Sequence, residues 1–259
     1  MGHERLGVLP RSIRWRAVVG QISDADASAE ASAQLADLTL KNVRKQFDSL
    51  AANEGVYDAF RFLLALPISA RAAEPAKALL DDFGITLDGP PSPLTLARAF
   101  QNALRGFART EHEDLSAKAL GDAVSKFVSS TRFGQTSLLP TTPWDPWRDA
   151  DSGAGFCELS RLYFSSLTER YLRYYLDREA SDVLADPERV TAFRTHLRNA
   201  IDNVSRHAFE TSKITQSFAA GWFQKRAKAG MPSPREIRSF LSFALHKIRD
   251  ELRREVEAG

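Results

Sequence analysis

The sequence predicts an all-α protein, and three observations support this fold class. Apolar residues recur at spacings of three and four along several stretches, which is the period of an amphipathic helix. Proline or glycine separates these stretches where helices are expected to begin and end. No run alternates between apolar and polar side chains for long enough to predict a strand. We therefore expect a multi-helix bundle of about eight helices, formed as one body or as two packed helical halves.

The first 131 residues are predicted to form an N-terminal helical half. Residues 56–66 are almost entirely apolar, so we expect a buried helix there that Pro67 stops. Gly84 is expected to end a helix, and the sequence DGPPSP at residues 88–93 predicts a loop. The predicted helices span about residues 12–20, 25–52, 56–66, 73–83, 93–108 and 114–130.

Residues 132–154 are predicted to connect the two halves without a helix. Pro140, Pro143 and Pro146 are incompatible with a helix interior, and both ends of the segment are rich in small polar residues. Trp144 and Trp147 carry large apolar surfaces, so we expect them to anchor this segment to a neighbouring surface.

Residues 155–259 form the predicted C-terminal helical half. A break is expected over residues 181–186, and Pro187 suits the first position of the helix that follows. The last helix is predicted to begin with a capping box. Ser233 is the expected N-cap, Pro234 suits the first helical position, and the Glu236 side chain is expected to bond the Ser233 backbone N–H. The predicted helices span about residues 156–180, 187–209, 212–229 and 234–257.

Positive charge is concentrated in this half. The chain of 259 residues is 43% hydrophobic with a net charge of only +2, which permits a substantial core and excludes a polycationic protein. Residues 206–254, however, hold eleven lysines and arginines against four acids, which leaves a charge of −5 for the rest. On the last helix, arginines recur at helical spacing without a carboxylate among them, and such a stripe could follow a phosphate backbone or simply solvate the helix. The candidate nucleic-acid-binding residues are Lys225, Arg226, Lys228, Arg235, Arg238, Arg249 and Arg253.

Signals for an enzyme, a cofactor or a metal are weak. The chain lacks the P-loop, dinucleotide-binding, zinc-protease, serine-hydrolase and paired-cysteine motifs. His196 and His207 share a helix face but lie about 16 Å apart along the axis, which is too far for one ion. We therefore expect no cofactor and no metal, and favour a non-enzymatic protein.

The predicted compartment is the cytoplasm. Cys157 is the only cysteine, so no disulfide can form within the chain, which is typical of a reducing environment. The charged first residues do not resemble a secretory signal, and no apolar run approaches the ~20 residues of a membrane helix. A soluble protein without a membrane partner is expected.

One spacing resembles a known catalytic signature. Arg189 and His196 are separated by six residues on a predicted helix. This spacing is similar to the Arg-x4-6-His signature of HEPN-type helical ribonucleases. The resemblance implies a dimeric helical protein that cuts RNA without a metal, with this arginine and histidine acting on the ribose and the scissile phosphate.

Three functional hypotheses follow from these observations. The first is a non-enzymatic accessory or adaptor protein that binds nucleic acid through its basic C-terminal hairpin, within a larger complex. The second is a protein–protein scaffold that uses its acidic, alanine-rich N-terminal half and does not bind nucleic acid. The third is the metal-independent ribonuclease that Arg189 and His196 suggest.

Overall fold

The computed structural model describes residues 13–25, 27–103, 111–130, 142–210 and 218–258, and every regular element within these ranges is helical. The all-α prediction is therefore confirmed. The expected number of about eight helices is too low, because predicted helices are split and short ones were not foreseen. The α-helices are α1 (Ile13–Gly20), α2 (Ile22–Ala25), α3 (Ala29–Asn42), α4 (Arg44–Ser49), α5 (Glu54–Ser69), α6 (Pro75–Phe83), α7 (Pro93–Ala103), α8 (Glu111–Ser130), α9 (Asp145–Ala150), α10 (Gly153–Leu184), α11 (Pro187–Glu210), α12 (Phe218–Arg226) and α13 (Pro234–Ala258), and a 3₁₀ turn spans Leu50–Ala52.

The long helix predicted over residues 25–52 is divided into several elements. The backbone leaves the helical region at Val43, with φ −107° and ψ 21°, and this residue separates α3 from α4. Ser28 begins α3 by accepting a hydrogen bond from the Ala31 N–H at 3.1 Å. Because Val43 and Phe47 are both buried, the apolar spacing continues through the break. Periodicity alone could therefore not reveal the division.

The prediction that Pro67 stops a helix is wrong. Helix α5 begins at the Asn53 cap, whose side chain accepts from the Val56 N–H at 3.2 Å, and it continues through Pro67 to Ser69. A proline inside a helix removes one hydrogen bond and strains the preceding turn. Here the residues around it, including Leu63 and Leu64, are completely buried. Packing of this apolar helix outweighs the local cost.

Part of the connecting segment is also helical, against the prediction. Residues 131–141, with Pro140, lie outside the described residues, but Asp145–Ala150 forms α9 with Pro146 in its first turn. A proline there lacks an N–H that would have no partner within the helix. The expected anchoring of Trp147 is confirmed, because its ring is fully buried against Phe127 with centroids 6.1 Å apart.

Helix α10 is the longest element and lies at the centre of the described structure. Its 32 residues extend about 48 Å, and it packs most extensively against α8 and α11. The break predicted over residues 181–186 begins only at Ala185, which adopts a left-handed conformation with φ 54°. The helix is buried on several sides over most of its length.

One continuous apolar core joins both predicted halves. At its centre Phe60 of α5 lies between aromatic rings from α10 and α13. Its ring centroid is 5.5 Å from that of Phe164 and 5.3 Å from that of Phe240. The two halves therefore contribute to the same packing, and α12 and α13 rest directly on this core.

Candidate nucleic-acid interface

Local signals define the hairpin of α12 and α13. The turn between the helices contains Gly230, whose φ of 136° is unfavourable for residues with a side chain. The predicted capping box then begins α13, because the Glu236 N–H donates to the Ser233 hydroxyl at 3.4 Å and the Ser233 N–H donates to the Glu236 carboxylate at 3.0 Å. Hydrogen bonds from the Ser233 backbone and hydroxyl lower the pKa of Glu236, with Arg226 adding to the effect.

Arg71 binds the carbonyl end of α12, next to the hairpin turn. Its Nη1 donates to the carbonyl oxygens of Ala227 at 2.7 Å and Lys228 at 2.9 Å. Its Nε donates to the Asp151 carboxylate at 2.6 Å. A cation is favoured at the carbonyl end of a helix, where the last backbone acceptors have no partner within the helix. Arg71 therefore fixes the end of α12 relative to α9 and α10.

Aromatic stacking fixes the inner side of the hairpin. The ring centroids of Phe156 and Phe223 lie 4.2 Å apart with nearly parallel planes. Trp222 lies 4.4 Å from Phe240, and Phe218 of α12 contacts Phe240 at 5.7 Å. These contacts join α12 and α13 to each other and to α10. The position of the outer side of the hairpin relative to α10 is therefore fixed.

Four of the predicted binding residues are engaged in ion pairs. Arg238 donates to both Glu54 oxygens at 2.7 and 2.8 Å and to the carbonyl oxygen of Ala52 at 3.2 Å. Its guanidinium also lies 4.6 Å from the centroid of the Tyr57 ring. This side chain links α13 to the start of α5.

The other three paired arginines differ in their partners. Arg249 forms an ion pair with Asp48 of α4, and its side chain is only 16% exposed. Arg226 bonds Glu236 at 2.8 Å, and Arg253 lies 3.8 Å from Glu257. The stripe predicted on α13 is therefore partly neutralised by acids, two of which come from α4 and α5.

The remaining predicted residues are exposed cations. Lys225, Lys228 and Arg235 are exposed and form no ion pair in the described part of the chain. Lys247, which the sequence did not single out, likewise has no carboxylate partner there, and its Nζ lies 5.7 Å from the centroid of the Phe243 ring. We call Lys225, Lys228, Arg235 and Lys247 the basic face.

Between residues 218 and 250, each acid of the hairpin lies beside an arginine. The only carboxylates between residues 218 and 250 are Glu236 and Asp250. Glu236 pairs with Arg226, and Asp250 lies 3.8 Å from Arg249. Both acids in this range thus lie beside arginines that are not part of the basic face.

Phe243 is the residue that sequence reasoning missed at this site. Its side chain is 47% exposed, whereas Phe240, three residues earlier, is buried at 3%. It contacts Phe218 edge to face, with ring centroids 4.9 Å apart. The available signal was its position outside the apolar stripe of α13, where an aromatic residue is not needed for the core.

Arg189 and His196 lie on one side of α11, two turns apart. Arg189 is exposed in the first turn, where its Nη2 donates to the Ser23 carbonyl oxygen at 3.5 Å. His196 is partly exposed. Seven residues along a helix separate the two positions by about 10 Å.

A network of charged residues between α10 and α11 is internally compensated. Arg161 is 4% exposed and donates to Glu158 at 2.7 Å and to Asp202 at 2.9 Å. Burial opposes ionisation of Asp202, but hydrogen bonds and charge from Arg161, followed by those of Arg206, lower its pKa below the usual value. Because each charge has an opposite partner, this network joins the helices and offers no charge to a ligand.

Other features of the described residues do not converge on a reactive site. An apolar groove of about 410 Å³ lies between α7 and α8, with Leu96, Phe100 and Val124 among its lining residues. In the described ranges, no group of three or more histidine, cysteine or acidic side chains is positioned to hold a metal ion. None of the described helices combines the length and apolar character that crossing a membrane requires.

Comparison of the whole chain with protein-family models, with curated proteins and with solved structures finds no match.

Proposed function

We propose that this protein is a non-enzymatic accessory protein that binds nucleic acid through the outer side of its α12–α13 hairpin. The observation that carries the proposal is the basic face, whose four cations have no ion pair in the described structure, while both acids between residues 218 and 250 lie beside an arginine. A ligand with regularly spaced negative charges would satisfy these cations. Arg226, Arg238 and Arg249 support the surface by linking different helices, whereas Arg253 lies beside Glu257 on its own helix.

The size of the basic face indicates a weak interaction. Four phosphate contacts give a slope of about −2.8 for log affinity against log salt with a single strand, since each contact contributes about −0.7. Affinity should then fall about 50-fold between 50 and 200 mM salt. Such a surface suits a subunit that acts within a larger complex, where other components supply the remaining affinity. A reducing compartment such as the cytoplasm agrees with the single cysteine.

The test is a charge-reversal variant of the whole basic face. Lys225, Lys228, Arg235 and Lys247 would be changed to glutamate together, and binding to labelled single-stranded and double-stranded DNA and RNA would be measured at 50 and 200 mM salt. We expect binding that depends on salt in the wild type and is lost in the variant. Loss at both salt concentrations would assign the contact to this surface.

A matched control carries the same change of net charge elsewhere. Lys77, Arg98, Lys126 and Arg178 are exposed and have no ion pair within the described ranges, so reversing them tests the effect of overall charge alone. Equal loss in both variants would show that no particular surface is used. Absence of binding by the wild type at low salt would refute the proposal and favour the protein–protein scaffold.

The same samples test the ribonuclease hypothesis. Arg189 and His196 both reach solvent on one side of α11, and this observation favours testing the activity. Degraded RNA in the wild-type lanes, intact RNA with His196→Ala, and unchanged thermal stability of that variant would assign catalysis to this pair. Intact RNA with the wild type would remove the hypothesis.

A further inference from the structure

We infer that the ligand of the basic face is a single-stranded nucleic acid, and that one of its bases stacks on the ring of Phe243. This inference rests on the proposed function and specifies which form of nucleic acid the hairpin binds. It joins two observations, the exposed aromatic ring and the uncompensated cations on either side of it along the hairpin.

The exposure of Phe243 is not required by the packing of α13. The buried stripe of this helix already includes Phe240, Leu241 and Leu245, all at 3% exposure or less. Phe243 instead leaves nearly half of its surface in water, with Phe218 against it at 68° between the ring planes. This contact sets the orientation of the ring while part of its surface stays accessible.

The charges around Phe243 favour a polyanion over an apolar protein partner. Lys247 lies over the ring, Arg235 lies two turns before it on α13, and Lys225 belongs to the adjoining helix. Protein interfaces usually bury aromatic residues among other apolar groups and contain few charges at their centre. An aromatic ring among cations is instead the combination by which proteins bind single strands, with the ring stacking on a base and the cations on phosphates.

A single strand fits this arrangement better than a duplex does. Bases of a duplex are stacked on one another, so their faces cannot reach a protein ring without unpairing. Arg235 and Lys247 are twelve residues apart, which is about 18 Å along the helix axis. We therefore expect a short binding site with one base held at Phe243.

The experiment compares Phe243→Leu and Phe243→Trp with the wild type. Binding to a labelled twelve-nucleotide single strand and to the corresponding duplex would be measured at 50 and 200 mM salt. We expect Phe243→Leu to weaken single-strand binding about 5- to 140-fold, the range found when a stacking ring is removed. The salt slope should not change, since no phosphate contact is lost. Phe243→Trp should restore the affinity.

Leucine keeps an apolar side chain against Phe218, so folding of this variant is expected, and thermal unfolding would verify it. If Phe243→Leu binds the single strand as the wild type does while charge reversal of the basic face abolishes binding, stacking is refuted and the proposed function stands. If duplex binding falls equally, the ring acts through packing and the inference is again refuted. If the wild type binds neither ligand, both proposals fail.

Discussion

Replacing Arg238 by glutamine should lower stability without weakening the binding of nucleic acid. The sequence placed this arginine in the phosphate-binding stripe, whereas the structure pairs it with Glu54, the Ala52 carbonyl oxygen and the Tyr57 ring. These partners belong to the 3₁₀ turn and to α5, so the substitution removes a link between distant parts of the chain.

The expected loss follows from the exposure of the groups involved. Glu54 is 72% exposed, so its ion pair with Arg238 contributes at most about 1 kcal/mol after screening by solvent. The contact with the Tyr57 ring adds about 0.5–1 kcal/mol, and the hydrogen bond to the Ala52 carbonyl adds a similar amount. The total is about 2 kcal/mol, which lowers the melting temperature of a chain of this size by about 4–8 °C.

Lys247→Gln provides the matched comparison. Lys247 has no carboxylate partner in the described structure, so its loss should change the melting temperature by less than about 2 °C. It should, however, reduce the salt slope of single-strand binding by about 0.7. Calorimetry and binding titrations would be run on both variants. If Arg238→Gln reduces the salt slope as much as Lys247→Gln and leaves the melting temperature unchanged, the assignment of Arg238 to structure is refuted.

Three further predictions concern packing. Phe60→Ala should lower the free energy of unfolding by about 3–5 kcal/mol. Calorimetry should still show a single transition, because both predicted halves surround this ring, and separate transitions would contradict a shared core. Asp202→Asn should cost about 1–3 kcal/mol at pH 7, because Arg161 loses a partner. Since the folded-state pKa of Asp202 is lowered, this difference should shrink in denaturation curves as the pH falls below about 4. Gly155→Ala should lower the free energy of unfolding by about 3 kcal/mol, because the added Cβ would lie 2.1 Å from a backbone oxygen. Gly121→Ala should raise the free energy of unfolding by about 0.5–1 kcal/mol in the same melting assay, because this position in α8 has open space for a methyl group.

Helix ends that carry a local capping or proline signal were predictable from sequence, because such signals depend on neighbouring residues. The Ser233 cap, the Gly84 terminator with φ 69° and the start of α11 at Pro187 all occur as expected. Continuity inside a helix depends on the whole core instead. Pro67 is kept within α5, where burial of the helix outweighs the local cost, and Val43 interrupts an apolar pattern without changing it.

The region proposed as the binding site stands out in the sequence, but the ion pairs within it do not. The concentration of positive charge near the C-terminus, the hairpin turn and the capped last helix are all visible along the chain. The acids that neutralise part of the stripe are not, because Glu54 lies 184 residues from Arg238 and Asp48 lies 201 residues from Arg249. Charge counted in a window of sequence therefore overestimates the charge that a ligand would meet.

The presence of a carboxylate partner, rather than helical spacing or exposure, separates the two kinds of cation on α13, since Arg253 is exposed and yet lies beside Glu257. An arginine is suited to bridging elements, since its planar group can donate to a carboxylate and a carbonyl at once and still lie over a ring, as Arg238 does. A lysine without a carboxylate, such as Lys247 beside Phe243, loses less on meeting a phosphate, because no existing ion pair must first be broken. The proposed binding surface thus consists of cations that have no ion pair in the described residues, and these can be identified only once the structure shows which cations are paired.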